Sequence, residues 1–276
     1  MPKLMGPDNG WQDMSATHLE GILAAGGAEA MVAATFHDYQ DACADKWAAS
    51  ARAAGIVLNV SCMDAWMARA VARFGPSTTK HSVDLWLTES ALHANSGVDG
   101  LTNVFASSLW YSHSLGQLAR SGVGLLSRQT LLGGDYELIN RTTGEPNPDF
   151  YVALLWHDLV GSAVLNVTMD AACADPAGEC AQELRVHAMR GVRGGTVVIL
   201  INFSEKSAYS LSLGDTLQCG TMWQLRGQPH ANQIFLNDEP LEYSAAGGLP
   251  KMEGKAVEAL ELPPVSVTFA EFRSHH

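Results

Sequence analysis

The chain has 276 residues, 47% hydrophobic and 17% charged, a balance that supports a large core and excludes disordered and fibrous classes. Its 17 Lys plus Arg against 29 Asp plus Glu leave a formal charge of −12 with no basic cluster, which excludes nucleic acid as a natural partner. No apolar run reaches the roughly 20 residues that cross a bilayer, and Met1-Pro2-Lys3 leads into apparent fold without a signal peptide.

In chain order, Lys3 to Gly6 reads as a strand end and Ser15 to Ala25 as a helix with Leu19, Ile22 and Leu23 on one face. Gly26-Gly27 is its stop. Met31 to Phe36 is the next strand, ending in His37-Asp38-Tyr39. Alanine-rich helices are expected over Asp41 to Ala54 and Cys62 to Phe74, with a β-branched patch from Gly55 to Val60 between them. A strand at Val83, a long helix from Leu101 to about Arg120 and a strand from Val123 to Gln129 follow. Strand, helix, strand at this spacing predicts βαβ units and a parallel sheet. Asp149 to Val160 reads as an amphipathic helix with Tyr151, Leu154, Leu155 and Leu159 as its apolar face.

After Gly161 short alternating runs take over: Ala163 to Val167, Leu184 to Ala188, Thr196 to Phe203, Tyr209 to Leu213, Met222 to Leu225, Ile234 to Leu236, Val257 to Leu262 and Val265 to Phe272. Bounded by Gly, Pro, Asn and Asp, they predict an antiparallel β-sandwich. The fold class is therefore α/β followed by all-β, with a boundary near residue 160.

The stretch Val83-Asp84-Leu85-Trp86-Leu87-Thr88-Glu89-Ser90 alternates apolar and polar residues and stops at a carboxylate. By itself it fits a Glu that solvates a strand end. At the C-terminal end of a parallel barrel strand, the same Glu would be a nucleophile aimed into a pocket. The segment from Glu89 through Thr102, Phe105, Trp110, Leu115-Gly116 and Arg128-Gln129-Thr130-Leu131-Leu132-Gly133-Gly134-Asp135-Tyr136 to Pro146-Asn147-Pro148-Asp149-Phe150-Tyr151 and Ala153-Leu154-Leu155-Trp156-His157 resembles heparanase and the heparanase-like β-glucuronidases, family 79 of the glycoside hydrolases. Leu4-Met5-Gly6-Pro7-Asp8 and Thr35-Phe36-His37-Asp38-Tyr39 match in the same order.

The resemblance implies the C-terminal half of a (β/α)8 TIM-type barrel, strands five to eight over residues 1–160, followed by a C-terminal β-sandwich over 161–276. It implies a retaining glycosidase with Glu89 as nucleophile, His37 and Tyr39 beside it, and Asn95, Ser96, Gly97, Gln129 and Tyr136 binding the sugar and its uronate carboxylate. Arg128 is equally a site residue or a buried cation. Retaining enzymes pair two carboxyl groups about 5–5.5 Å apart. The family's acid/base sits in an Asn-Glu pair, and no Asn-Glu dipeptide occurs here. Glu145 and Glu239 lie in Glu-Pro contexts that should not face Glu89. The expectation is an incomplete β-glucuronidase whose other half-barrel lies in a preceding segment or a separate chain. Its alternatives are another retaining β-glycosidase of the same barrel clan and a truncated, non-catalytic paralogue that binds glycan or a protein.

No metal and no cofactor is expected: the five cysteines contain no C-x-x-C, and there is no H-E-x-x-H, Walker loop, G-x-G-x-x-G after a strand or G-x-S-x-G. Cys173 and Cys180 could close a local disulfide. Asn59, Asn140, Asn166 and Asn202 begin N-glycosylation sequons, which suits an extracellular, lysosomal or membrane-associated full-length protein. A membrane attachment is not encoded in these residues. Where animal heparanase carries a basic run, Asn9-Gly10-Trp11-Gln12-Asp13 stands instead, which argues against heparan sulfate as substrate.

Overall fold

The computed structural model describes residues 3–10, 13–41, 43, 60–167, 183–211, 220–244, 246–257 and 259–273. Four strands, β1 (Leu4–Gly10), β2 (Met31–His37), β3 (Asp84–Ser90) and β4 (Val123–Arg128), pair in parallel in the order β1-β2-β3-β4. In β3 the alternation works as expected. Val83, Leu85 and Leu87 are buried against helices, whereas Asp84 is exposed.

Helix α1 (Ala16–Ile22) is capped by Ser15, whose hydroxyl accepts the His18 N–H at 3.0 Å. A π-helical turn over Leu23–Gly27 ends the run, with Gly26 at φ +102°, followed by the short α2 (Ala28–Ala30). Helix α3 (Val60–His81) continues past the expected end at Phe74, through Pro76. Packing overrides the breaker, since Ser77 and Thr78 are buried and Glu20 of α1 pairs with Lys80 and, at 3.0 Å, with His81. Helix α4 (Phe105–Arg120) begins after the expected start at Leu101, because Leu101 to Asn103 form turns. Helix α5 (Pro148–Leu159) has Pro148 in its first turn and buries Tyr151, Val152, Leu155 and Leu159.

Beyond α5 every strand pairing among the described residues is antiparallel. The strands are β5 (Val160–Leu165), β6 (Leu184–Gly191), β7 (Thr196–Asn202), β8 (Tyr209–Leu211), β9 (Gly220–Gly227), β10 (Ile234–Leu236), β11 (Glu239–Pro240), β12 (Lys255–Val257), β13 (Leu260–Leu262) and β14 (Ser266–Phe272). One sheet runs β11-β10-β9-β14-β7-β6-β5 with β12 also on β9, and β8 pairs with β13 in a separate ribbon. Val197, Ile199 and Ile201 of β7 join the main core with Val267 and Phe269, while Val198 and Leu200 face a second core with Leu260, Leu262, Ala270 and Phe272. With both faces covered, β7 reads as an unbroken apolar run rather than an alternating one.

Helix α4 stands between the two parts, packing on β4, α3 and α5 and also on β6, β7 and β14. Its His113, fully buried, lies 2.7 Å from Asp64 Oδ1 of α3 and 3.1 Å from His187 Nε2 of β6, and Arg185 reaches Asp64 Oδ2 at 2.6 Å. A side chain on Gly116 would overlap the His187 imidazole. The amides of Phe105 and Ala106 at the start of α4 donate to the carbonyls of Ala231 and Pro229 at 3.0 and 2.9 Å.

A disulfide joins Cys43 to Cys62 of α3, a pairing not anticipated from sequence. The Cys173–Cys180 expectation, most of the 41–54 helix and the β-branched patch expected over 55–60, except Val60, lie outside the described residues; Val60 itself opens α3. One sequon needs correcting: Asn202 is fully buried, its amide donating to Ser207, Leu262 and Pro263 carbonyls at 2.8, 3.1 and 2.9 Å, so it is no acceptor for a glycan. Among the described residues no helix is long and apolar enough to cross a membrane.

Candidate active site

Parallel pairing brings the C-terminal ends of β1 to β4 to one edge of the sheet. There Tyr39, just past β2, donates its hydroxyl to Glu89 Oε1, and His37 Nδ1 lies 3.0 Å from Glu89 Oε2. Glu89 remains 32% exposed, so one edge of the carboxylate is reachable. Burial, reinforced by the Glu89 carboxylate, raises the Tyr39 phenol far above its ordinary range and keeps it a donor. From the other side, the Trp66 indole of α3 donates to the Tyr39 carbonyl at 2.9 Å.

Three register shifts shape this edge, one of them between β3 and β4, where the pairing steps from Leu87↔Leu126 to Ser90↔Arg128. The β1–β2 register steps from Pro7↔Thr35 to Asn9↔Phe36, leaving Asp8 unopposed. The β2–β3 register steps from Phe36↔Leu87 to His37↔Glu89, leaving Thr88 unopposed. Bulges re-aim side chains. Here the Thr88 hydroxyl reaches Asp8 Oδ1, and the same Asp8 oxygen lies 3.1 Å from His37 Nε2. Thr88's hydroxyl, with His37, holds the Asp8 carboxyl below its usual range despite partial burial. Asp8 and Thr88 are site residues that the sequence reading did not assign, since nothing in a single sequence marks where a ladder skips a residue.

Asp38 lies between His37 and Tyr39 in sequence, and it is buried with Oδ1 lacking a hydrogen-bond partner. Burial pushes its carboxyl up to about 8, moderated by the Trp66 indole and the Arg69 charge.

The remaining expected residues sit in two abutting loops. Asn95, Ser96 and Gly97 take φ values of +51°, +73° and +81°. A Cβ on Gly97 would come within 2.5 Å of Thr102 Oγ1 and 2.8 Å of the Tyr136 nitrogen, so close approach requires glycine. The loop after β4 is tied down by Gln129, whose N–H donates to the Ser90 carbonyl at 2.9 Å, and is built around buried Glu137, which accepts the Gly133 and Arg141 amides at 2.6 and 2.8 Å. That frame holds Tyr136, itself buried, near enough to add to the rise of Tyr39. Among the described residues, the side-chain hydrogen bonds that reach the Glu89 carboxylate come from His37 and Tyr39, and none comes from Asn95, Ser96 or Gln129.

Arg128 is a buried cation. Its side chain is 3% exposed, pairs with equally buried Asp149 at 2.8 Å and lies over Trp110 and Tyr111 with centroid distances of 5.4 and 5.7 Å. Glu145 is exposed in the turn before α5, and Glu239 is exposed in the edge strand β11. No cluster of three or more His, Cys, Asp or Glu suited to a metal ion occurs among the described residues.

A hydrogen-bonded carboxylate thus stands at the end of a parallel strand, ahead of an antiparallel sheet, and solved structures that share this fold include glycoside hydrolases. One, a 4-O-α-L-rhamnosyl-β-D-glucuronidase from Fusarium oxysporum, superposes with a TM-score of 0.66 over 97% of this chain and 59% of its own, at 12% identity, which shows the fold alone. By sequence, the chain is related to the heparanase-like proteins. It is 39% identical over 132 residues to heparanase-like protein 1 of Arabidopsis thaliana (47% of this chain, 22% of the relative). It is 32% identical over 192 residues to baicalin-β-D-glucuronidase of Scutellaria baicalensis (67% and 35%) and 26% identical over 203 residues to human inactive heparanase-2 (67% and 34%). The chain thus matches well under half the length of each. No family model matches it.

Proposed function

We propose that the chain is the nucleophile-bearing part of a retaining glycoside hydrolase acting on β-linked glucuronides, with residues 1–160 as half of a (β/α) barrel and 161–276 as its sandwich. The observation that carries this is the Glu89 carboxylate, oriented at a parallel strand end by Tyr39 on one oxygen and His37 on the other, within a heparanase-like sequence. Tyr39 and His37 hold Glu89 so that its exposed edge can attack an anomeric carbon. The acid that protonates a natural leaving group comes from outside these residues, on a preceding segment or separate chain, and Tyr136 with the Asn95 to Gly97 and Gln129 loops receives the uronate. The setting of the full-length protein is extracellular, lysosomal or membrane-associated.

An activated substrate needs no acid, which supplies the test. Incubation with 2-deoxy-2-fluoro-β-D-glucuronyl fluoride should leave a covalent sugar on Glu89, located by mass spectrometry and absent in Glu89→Gln. Failure of the native chain to be labelled, or labelling elsewhere, overturns the assignment. The missing Asn-Glu pair favours one second reading, a non-catalytic glycan binder. It expects glucuronide binding that survives Glu89→Gln without any covalent adduct.

A further inference from the structure

His37 stands between two carboxylates, with Nε2 3.1 Å from Asp8 Oδ1 and Nδ1 3.0 Å from Glu89 Oε2. A neutral imidazole has one N–H and one bare nitrogen, whereas an ionised carboxylate only accepts. Facing both carboxylates, neutral His37 would set a lone pair against one of them. The three groups therefore share one additional proton, on the imidazole or on a carboxyl.

The groups around His37 decide where it rests: Asp8 from β1, Thr88 and Glu89 from β3, and Tyr39 beyond the end of β2. The Thr88 hydroxyl donates to Asp8 and favours its ionised form. A proton on Glu89 would occupy the oxygen pair that has to attack. A proton on His37 satisfies every group at once, with Nε2–H to Asp8, Nδ1–H to Glu89 Oε2 and the Tyr39 hydroxyl to Oε1.

We propose that Asp8 is a positioning residue that, through His37, keeps Glu89 unprotonated and aligned. The inference rests on Glu89 being the nucleophile and extends that reading to a residue outside the carboxylate's own contacts. In the reaction, a Glu89 oxygen forms a bond to the anomeric carbon while the bond to the leaving group breaks and its electron pair departs with that group. The hydrogen stays on His37 Nδ1, so the glutamate neither gains nor releases a proton.

Two measurements on the purified 276-residue chain test this. The first is the ¹⁵N spectrum of the His37 ring at neutral pH, assigned by its disappearance in His37→Gln. Both nitrogens should be hydrogen-bearing in the native chain. Asp8→Asn, which keeps the shape and an acceptor but removes the charge, should leave one nitrogen bare. The second is the rate of Glu89 labelling by the glucuronyl fluoride. Asp8→Asn should slow the covalent step roughly 10- to 100-fold, the range seen when carboxylates backing metal-bound histidines are removed, with the inhibitor's initial binding unchanged. Thr88→Val, which keeps the charge, should have a smaller effect of the same sign.

Identical His37 spectra in the native chain and Asp8→Asn would overturn the proposal, as would an unchanged labelling rate. A native chain in which the His37 spectrum responds to Asp8→Asn but Glu89 is never labelled would overturn the glycosidase reading instead. Circular dichroism of the variants separates either result from misfolding.

Discussion

Asp149→Ala is the perturbation with the largest calculable consequence. The Asp149 carboxylate, in the first turn of α5, accepts from Arg128 at 2.8 Å, from Ser107 at 2.8 Å and from Ser108 at 2.9 Å. Truncation leaves a buried guanidinium without its counter-charge and two buried hydroxyls without acceptors. Removing one partner of a buried pair costs about 3–5 kcal/mol. For a chain of this size that lowers the melting temperature by roughly 6–20 °C, at about 2–4 °C per kcal/mol. Urea denaturation and thermal melting at neutral pH read both quantities. The double variant Arg128→Met with Asp149→Leu removes both charges and should recover at least half of the loss, because the penalty comes from the orphaned charge. A loss below about 1 kcal/mol for Asp149→Ala, or a double variant no better than the single, would refute the reasoning.

Stability should also carry two opposing pH slopes. Burial, with His113 and Arg120 nearby, holds His187 down to about 3, so below about 6.5 the unfolded chain binds a proton that the native state refuses. That contribution is complete above 6.5 and is lost at about 1.4 kcal/mol per pH unit as pH falls. Asp38, pushed up to about 8 by its burial, holds a proton that the unfolded chain releases above 3.8, so its contribution is complete at low pH and is lost on the way up to 8. Between pH 4 and 6.5 the two slopes oppose each other. Asp38→Asn should expose the histidine slope, with stability falling by about 2 kcal/mol from pH 6.5 to 5, as measured by urea midpoints. Gly116→Ala would ordinarily stabilise a helix by up to about 1 kcal/mol; here overlap with His187 should make it destabilising by about 1–3 kcal/mol in thermal melts.

Much of the architecture was legible in local pattern. Val83, Leu85 and Leu87 placed β3 and its terminal carboxylate, Gly26 placed the break after α1, and the runs from Leu184, Thr196 and Val265 placed β6, β7 and β14. What escaped depends on partners distant in sequence. The bulges that aim Asp8 and Thr88 are properties of pairing register, and the Cys43–Cys62 bridge depends on how α3 packs. Arg128 could not be assigned without seeing Asp149 across the layer. The helix expected to end at Phe74 runs on to His81, because burial of Ser77 and Thr78 outweighs the backbone hydrogen bond that Pro76 cannot donate.

Helix α4 carries a consequence for how the chain can be divided. Four serines and one histidine lie among its sixteen residues, yet Phe105 to Ser114 are buried without a break, and among the described residues it is a rod on which both sheets pack. Cutting the chain where parallel pairing gives way to antiparallel would take His187 from His113 and strip the Pro229 and Ala231 carbonyls from the helix's first turn. The change of topology near residue 160 is therefore a seam in the drawing and not in the material: neither side of it owns the helix, and each would lose its footing without the other.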